Sequence, residues 1–158
     1  FPTRRSSDLR VIARDQQFQV ASATSSAFPI AAGASVWTDL GSGMAGTQGI
    51  PTLSGFGPLT QNSAIQLTLH VARPNVAGSA LIVGFAPVNL PLFGGLLVPS
   101  PDLVLLPLPT DANGGWSLAT TWPAAVPSGF SIYFQTWLPD PLGASGYAAS
   151  NALLAVSP

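Results

Sequence analysis

The chain has 158 residues, 47% of them hydrophobic and only 7% charged, with a formal net charge of −1 and no cysteine. That length suits one domain able to bury a core, and a charged share far below the roughly 25% of average soluble domains leaves Ser, Thr, Asn, Gln and exposed backbone to make the polar surface. Five arginines with no lysine are too few to supply the clustered cations that nucleic acid or an anionic membrane surface requires, and the missing cysteines exclude a disulfide framework and thiolate chemistry.

In chain order, residues 1–9, Phe-Pro-Thr-Arg-Arg-Ser-Ser-Asp-Leu, resemble a translated sequencing adapter. The resemblance implies that this nonapeptide is not native and that an upstream domain and any export signal precede the sequence. It also leaves Arg10, Arg14 and Arg73 against Asp15, Asp39, Asp102, Asp111 and Asp140, three positive charges against five negative, a net charge of −2. Residues 10–32 read as a strand remnant, Arg10 to Val20, followed by a linker. The stretch from Ala21 to Ser35 is rich in Ala, Ser, Thr and Gly around Phe28-Pro29, which is linker composition. A boundary is expected near Gly33, with the main domain over residues 33–158.

Short β-like runs then alternate with turn signals. Ile65, Leu67, Leu69 and Val71 fall on one face of Ala64 to Ala72, and Gln66, Thr68 and His70 on the other, the pattern of a half-buried strand. Ala80 to Phe85 follows the Pro74-Asn75 and Gly78-Ser79 turn signals, so the two runs are expected to form a hairpin. Its continuous Leu81-Ile82-Val83 predicts burial on both faces. Further runs cover Leu96 to Val98, Leu103 to Leu108, Trp116 to Trp122, Phe130 to Leu138 and Leu153 to Val156. The stretch Asp111-Ala-Asn-Gly-Gly115 predicts a tight turn. Ten of the sixteen prolines lie between Pro87 and Pro141, where they forbid long helices and mark edges. The charge-free stretch from Pro74 to Pro101 is interrupted too often to span a bilayer as a helix. Only Ala144 to Leu154 has helical character. The spacing predicts an all-β fold, an antiparallel β-sandwich of jelly-roll or Ig-like type with about 7–9 short strands and little or no helix.

Few residues carry recognisable chemistry. Gly41-Ser-Gly-Met-Ala-Gly46 matches G-x-G-x-x-G, but the segment behind it ends in Pro51 and cannot open the helix that would receive a pyrophosphate, so it reads as a glycine-rich turn. His70 is the sole histidine, with no nucleophile elbow to serve and too few partners for zinc. A carboxylate pair for glycoside hydrolysis must come from aspartates in turns and loops, and Asp102, Asp111 and Asp140 are candidates for a loop calcium site with an incomplete ligand set. The aromatics are more suggestive. Trp116 and Trp122 share one strand face, and Tyr133 and Trp137 another, so Trp116, Trp122 and Trp137 are candidate ligand-binding residues if exposed and core residues if not.

Taken together, Trp37-Thr-Asp-Leu-Gly41, Gly46-Thr-Gln-Gly-Ile-Pro51, Gly94-Gly-Leu-Leu-Val-Pro99 with Pro101-Asp102, Tyr133-Phe-Gln-Thr-Trp137 and Ala148-Ala-Ser-Asn-Ala-Leu153 resemble a C-terminal β-sandwich module of large secreted bacterial proteins, over about Trp37 to Pro158. The resemblance implies class and location and assigns no catalytic residue. The expectation is therefore a non-enzymatic module of a secreted or cell-surface protein, without cofactor or transmembrane segment. It would pack against the upstream domain or adhere to a polysaccharide or cell surface. The alternatives are a carbohydrate-binding module using Trp116, Trp122 or Trp137, and an aspartate-based hydrolase.

Overall fold

The computed structural model describes residues 10–14, 20–24 and 36–158. The chain divides into two compact units, Phe1–Ala34 and Ser35–Pro158. In the first, β1 (Arg10–Arg14) and β2 (Val20–Thr24) pair antiparallel, with Arg10 opposite Thr24 and Arg14 opposite Val20. The segment read as linker thus contributes a strand through Thr24, because ladder hydrogen bonds come from the backbone and do not require apolar side chains. The rest of the expected linker, and residues 1–9, lie outside the described residues.

The second unit is an all-β fold of antiparallel sheets packed face to face, a β-sandwich. Its strands are β3 (Trp37–Gly41), β4 (Thr52–Phe56), β5 (Ala64–His70), β6 (Ser79–Gly84), β7 (Pro87–Leu92), β8 (Gly95–Pro99), β9 (Leu103–Leu108), β10 (Trp116–Thr121), β11 (Ser131–Pro139), β12 (Tyr147–Ala149) and β13 (Ala152–Val156). A small sheet runs β10-β5-β4. A large one runs β3-β13-β11-β6-β9, with β12 continuing along the same side of β11 as β13. The described part of this unit holds eleven strands where seven to nine were expected. Of the additional ones, β3, β4 and β7 carry Gly, Pro or polar residues that mask strand character and β12 is only three residues long, and they exist because neighbouring strands supply their hydrogen bonds. The segment from Ala144, read as helix-prone, forms only a three-residue 3-10 turn, Ala144–Gly146, before entering β12 and β13.

Face alternation explains the core. Leu53, Ile65 and Leu67 of the small sheet meet Leu81, Val83, Ile132, Phe134 and Leu153 of the large one in a single buried cluster. Each such side chain contributes roughly 1.5–3 kcal/mol on burial, so this chain owes its stability to apolar packing far more than to its few charges. On the opposite face of the large sheet, Ile82, Trp137 and Ala149 are covered by Leu97 of the β7-β8 hairpin, with Leu92, Met44 and Tyr147 packed alongside. The hairpin turns on Phe93 and Gly94, both at positive φ (46° and 84°), the backbone shape that a two-residue hairpin turn requires.

The Leu81-Ile82-Val83 run is buried on both faces, as predicted: β6 lies between β11 and β9. The hairpin predicted between Ala64–Ala72 and Ala80–Phe85 is not formed. Strand β5 pairs with β4 and β10, whereas β6 belongs to the other sheet. A strand apolar on both faces needs cover on both, which only an inner position between core and hairpin provides. The connection leaves β5 at Val71 and turns again at Asn75, both at positive φ (59° and 55°).

Candidate functional site

The small sheet is too narrow to cover the large one. Beyond Leu118 on β10 and Leu105 on β9, both edge strands, the two layers part around an apolar cleft of about 520 Å³. Its floor is the buried core surface of Ile65, Leu67, Leu81 and Ile132, and its mouth carries the exposed Phe85 and Leu103. Strand β9 shapes one wall by alternation: Leu103 and Leu105 pair with Val83 and Leu81 and face the cleft, while Val104 pairs with Ile82 and faces the other side.

The segment from Trp122 to Phe130 closes one end. Pro123 and Pro127 lack the N–H a ladder needs, so the chain leaves β10 as a loop, held at its start by Trp122 N donating to Ser63 O (2.8 Å) and at its finish by Gly129 N donating to Ser157 O (2.8 Å). The Ser157 hydroxyl also donates to the Pro127 carbonyl. Phe130 then meets Phe85 across the mouth, with ring centroids 5.8 Å apart. Among the cleft-lining side chains the polar groups are the hydroxyls of Thr120 and Thr121 and the indole N–H of Trp122, and none is charged. No His, Asp, Lys or Arg lines the cleft beside the two threonine hydroxyls, and its apolar walls can sequester apolar material.

The three candidate tryptophans do not form a platform. Trp122 (2% exposed) sits in the core between the sheets, and Trp137 (5%) lies on the opposite face of the large sheet beneath the hairpin. Trp116 is half-buried against the core, and part of it borders a second hollow of about 270 Å³ with Gln66, His70, Asp111, Asn113 and Ser117. All three indole N–H groups are buried without a hydrogen-bond partner. The rings fill space the charge-poor core needs filled, which overrides their value as surface stacking groups.

Asp102, Asp111 and Asp140 stand on separate loops, each bound by its own set of donors. Asp111 accepts from Asn113 N (2.8 Å) and Gly115 N (2.9 Å), which makes the predicted turn. Asp102 accepts from Ser100 Oγ (2.5 Å) and Phe85 N (2.8 Å); the Ser100 bond first, then the Phe85 bond, holds its carboxyl below the usual range against a small opposing cost of burial. Asp140 is buried and accepts from Thr47 Oγ1 (2.5 Å), Thr47 N (2.7 Å) and Leu142 N (3.1 Å). Burial raises its pKa, but the Thr47 and Leu142 bonds and the Arg73 charge together outweigh that, and the carboxyl lies below the usual range. No group of three or more His, Cys, Asp or Glu among the described residues is placed to hold a metal ion, so Asp102, Asp111 and Asp140 are not brought together in one cluster.

The glycine-rich turn serves Asp140. A Cβ on Gly46 would lie 2.2 Å from Asp140 Oδ2, so glycine alone permits the close approach that delivers Thr47 to the carboxylate. Sequence reading missed this contact, as it missed the cleft. The one available signal for the cleft was Leu103 to Leu108, a strand with no polar alternation sitting at a sheet edge. No helix among the described residues is long and apolar enough to cross a membrane. Comparisons with protein-family models, with curated proteins and with solved structures find no match to this chain.

Proposed function

We propose that this chain is a non-catalytic β-sandwich module that packs against or adheres to another surface through the free edge of β9. The observation that supports this reading is the exposure of Val104 (41%) and Leu106 (65%) on a strand paired on one side only, to β6. An edge strand presents unpaired N–H and C=O groups, and natural proteins normally blunt such an edge with charge. Here Pro107 alone interrupts it and the side chains beside it are apolar. Contiguous apolar surface of this kind marks an interaction site. In a secreted or cell-surface bacterial protein, the setting this reading assigns, the partner is a neighbouring domain of the same protein or the cell surface itself.

The test is a double substitution, Val104→Lys with Leu106→Lys, in the full chain. Retention on an alkyl-coated surface and sedimentation across a concentration series are measured for parent and variant. The reading expects the parent to be retained or to self-associate and the variant to lose both at an unchanged thermal midpoint. Equal behaviour of the two folded proteins sinks it.

A second reading, carbohydrate binding, draws support from one feature: the hollow where Trp116 meets Gln66, His70, Asn113 and Asp111, an aromatic edge beside hydrogen-bonding groups. Neutral oligosaccharides screened by calorimetry should bind the parent and lose affinity in His70→Ala and Asn113→Ala. Absence of binding across hexose and pentose polymers removes this alternative.

A further inference from the structure

We infer that the cleft between the sheets is a binding site for a single aliphatic chain with an uncharged polar end. This goes beyond docking at the β9 edge, since it concerns the inward face of that strand and the interior behind it.

The cleft's volume of about 520 Å³ falls within the roughly 300–1,000 Å³ typical of small-molecule pockets. The floor is formed by Leu67, Leu81 and Ile132, all in strands paired on both sides, so the pocket is preformed. Water is a poor occupant. A buried water needs two to four polar partners, and the lining side chains offer the hydroxyls of Thr120 and Thr121, both on exposed residues, and one buried indole N–H, that of Trp122, too few to hold water along the apolar floor. Poorly held water is displaced with gain by an apolar group.

Three features choose the ligand class. The continuous aliphatic floor takes a flexible chain. The size fits on the order of ten carbons, taking about 30 Å³ per water-sized group and leaving part of the cleft open. The lack of any charged lining residue disfavours a carboxylate or an ammonium head, whose desolvation would go uncompensated, whereas a hydroxyl or ester can meet Thr120 or Thr121. A folded partner cannot enter between the layers, because the Trp122 to Phe130 loop is anchored across one end.

The experiment titrates the full chain with straight-chain 1-alkanols of six to twelve carbons by calorimetry, alongside decanoate and decyltrimethylammonium. The inference expects affinity to rise about fourfold per added methylene, the factor that roughly 0.8 kcal/mol per buried CH₂ gives, and then to level off as the cleft fills. It also expects the neutral decanol to bind at least tenfold more tightly than either ion. Val83→Phe and Leu118→Phe, tested separately, place a ring in the cleft. Whichever variant retains a cooperative thermal transition should bind decanol at least tenfold more weakly, while Leu90→Ser, on the remote hairpin, should bind as the parent does. Affinity independent of chain length overturns the inference. So does undiminished binding in a folded cleft-filled variant, or tighter binding of an extended apolar hexapeptide than of decanol.

Discussion

The side-chain amide of Asn151 pairs with the main chain of Leu53 at both ends, its Oδ1 accepting from Leu53 N at 2.7 Å and its Nδ2 donating to Leu53 O at 3.1 Å. Asn151 stands in the break between β12 and β13, so this contact ties the large sheet to β4 of the small one. It does with a side chain what a ladder does with backbone. Because both groups of Leu53 are buried there, Asn151→Ala leaves a donor and an acceptor without partners, at about 1–3 kcal/mol each. Urea unfolding should show a loss of about 2–4 kcal/mol, large for one substitution, and Asn151→Asp should be at least as damaging at neutral pH because it removes the donor and buries a charge. A loss below 0.5 kcal/mol would show that Leu53 finds other partners.

Gln135 plays the corresponding part on the outer face of the same sheet. Fully buried, it accepts from Val98 N (3.0 Å) and donates to Leu96 O (3.0 Å) and Ser150 O (3.2 Å). One amide thus joins β11 to the hairpin strand β8 and to the β12-β13 break. Gln135→Leu keeps the volume and removes the bonds, so the hairpin should loosen before the sandwich does. Hydrogen exchange is the measurement: the Val98 amide should exchange at least tenfold faster in the variant while Leu81 to Val83 stay protected. Uniform change across both would mean that Gln135 stabilises the whole fold and not the hairpin in particular.

These two amides mark where the sequence stops being readable. Alternation identified β5, and the doubly apolar Leu81-Ile82-Val83 gave β6 its inner position, because side-chain periodicity reports local burial. Periodicity says nothing about which strand lies beside which. Hence the hairpin expected between β5 and β6 was misplaced, and the β7-β8 hairpin, with prolines at Pro87 and Pro91, stayed hidden. Asn151 and Gln135 are polar residues in apolar surroundings whose partners lie 98 and 37 positions away in sequence. A single chain offers no sign of such pairs. The cleft was unreadable for the same reason, since it arises from a mismatch in sheet width and not from any motif.

At Val71 the backbone adopts φ +59°, where a β-branched side chain is strained. Its side chain is substantially exposed, so little packing compensates. Asn tolerates this region better than valine, and Val71→Asn should therefore raise stability by about 0.5–1 kcal/mol, within the range of relieved strain. Urea midpoints of the two proteins decide it. A destabilised variant would mean that the valine methyls, one of which lies 3.8 Å from where a Cβ on Gly49 would be, contribute more packing than their exposure implies.

The pH dependence of stability should centre on Asp140. Its carboxyl titrates below the usual 3.8 because, although burial raises the pKa, the Thr47 and Leu142 hydrogen bonds and the Arg73 charge prevail. In the unfolded chain these bonds are gone and the group titrates near its ordinary value, about 3.9. The unfolded state therefore binds the proton more readily, so acid favours unfolding. The contribution is fully present above the unfolded value and fades as pH falls below about 3.8 through the lower, folded one. Asp102, lowered chiefly by its Ser100 bond, works in the same direction and window. Asp140→Asn should lower the thermal midpoint at pH 7, and the gap to the parent should narrow as pH falls from 4 to 2.5, because the unfolded parent takes up the proton there more readily than the folded one. Thr47→Val, which removes the hydroxyl but keeps the backbone bond, should fall between the two at neutral pH. Thermal melts of parent and variants at half-unit pH steps check this. A gap that stays constant to pH 2.5 would assign the Asp140 effect to packing in the loop and not to its charge, and Asp102→Asn, measured alongside, would show how much of the remaining acid sensitivity belongs to that exposed carboxylate.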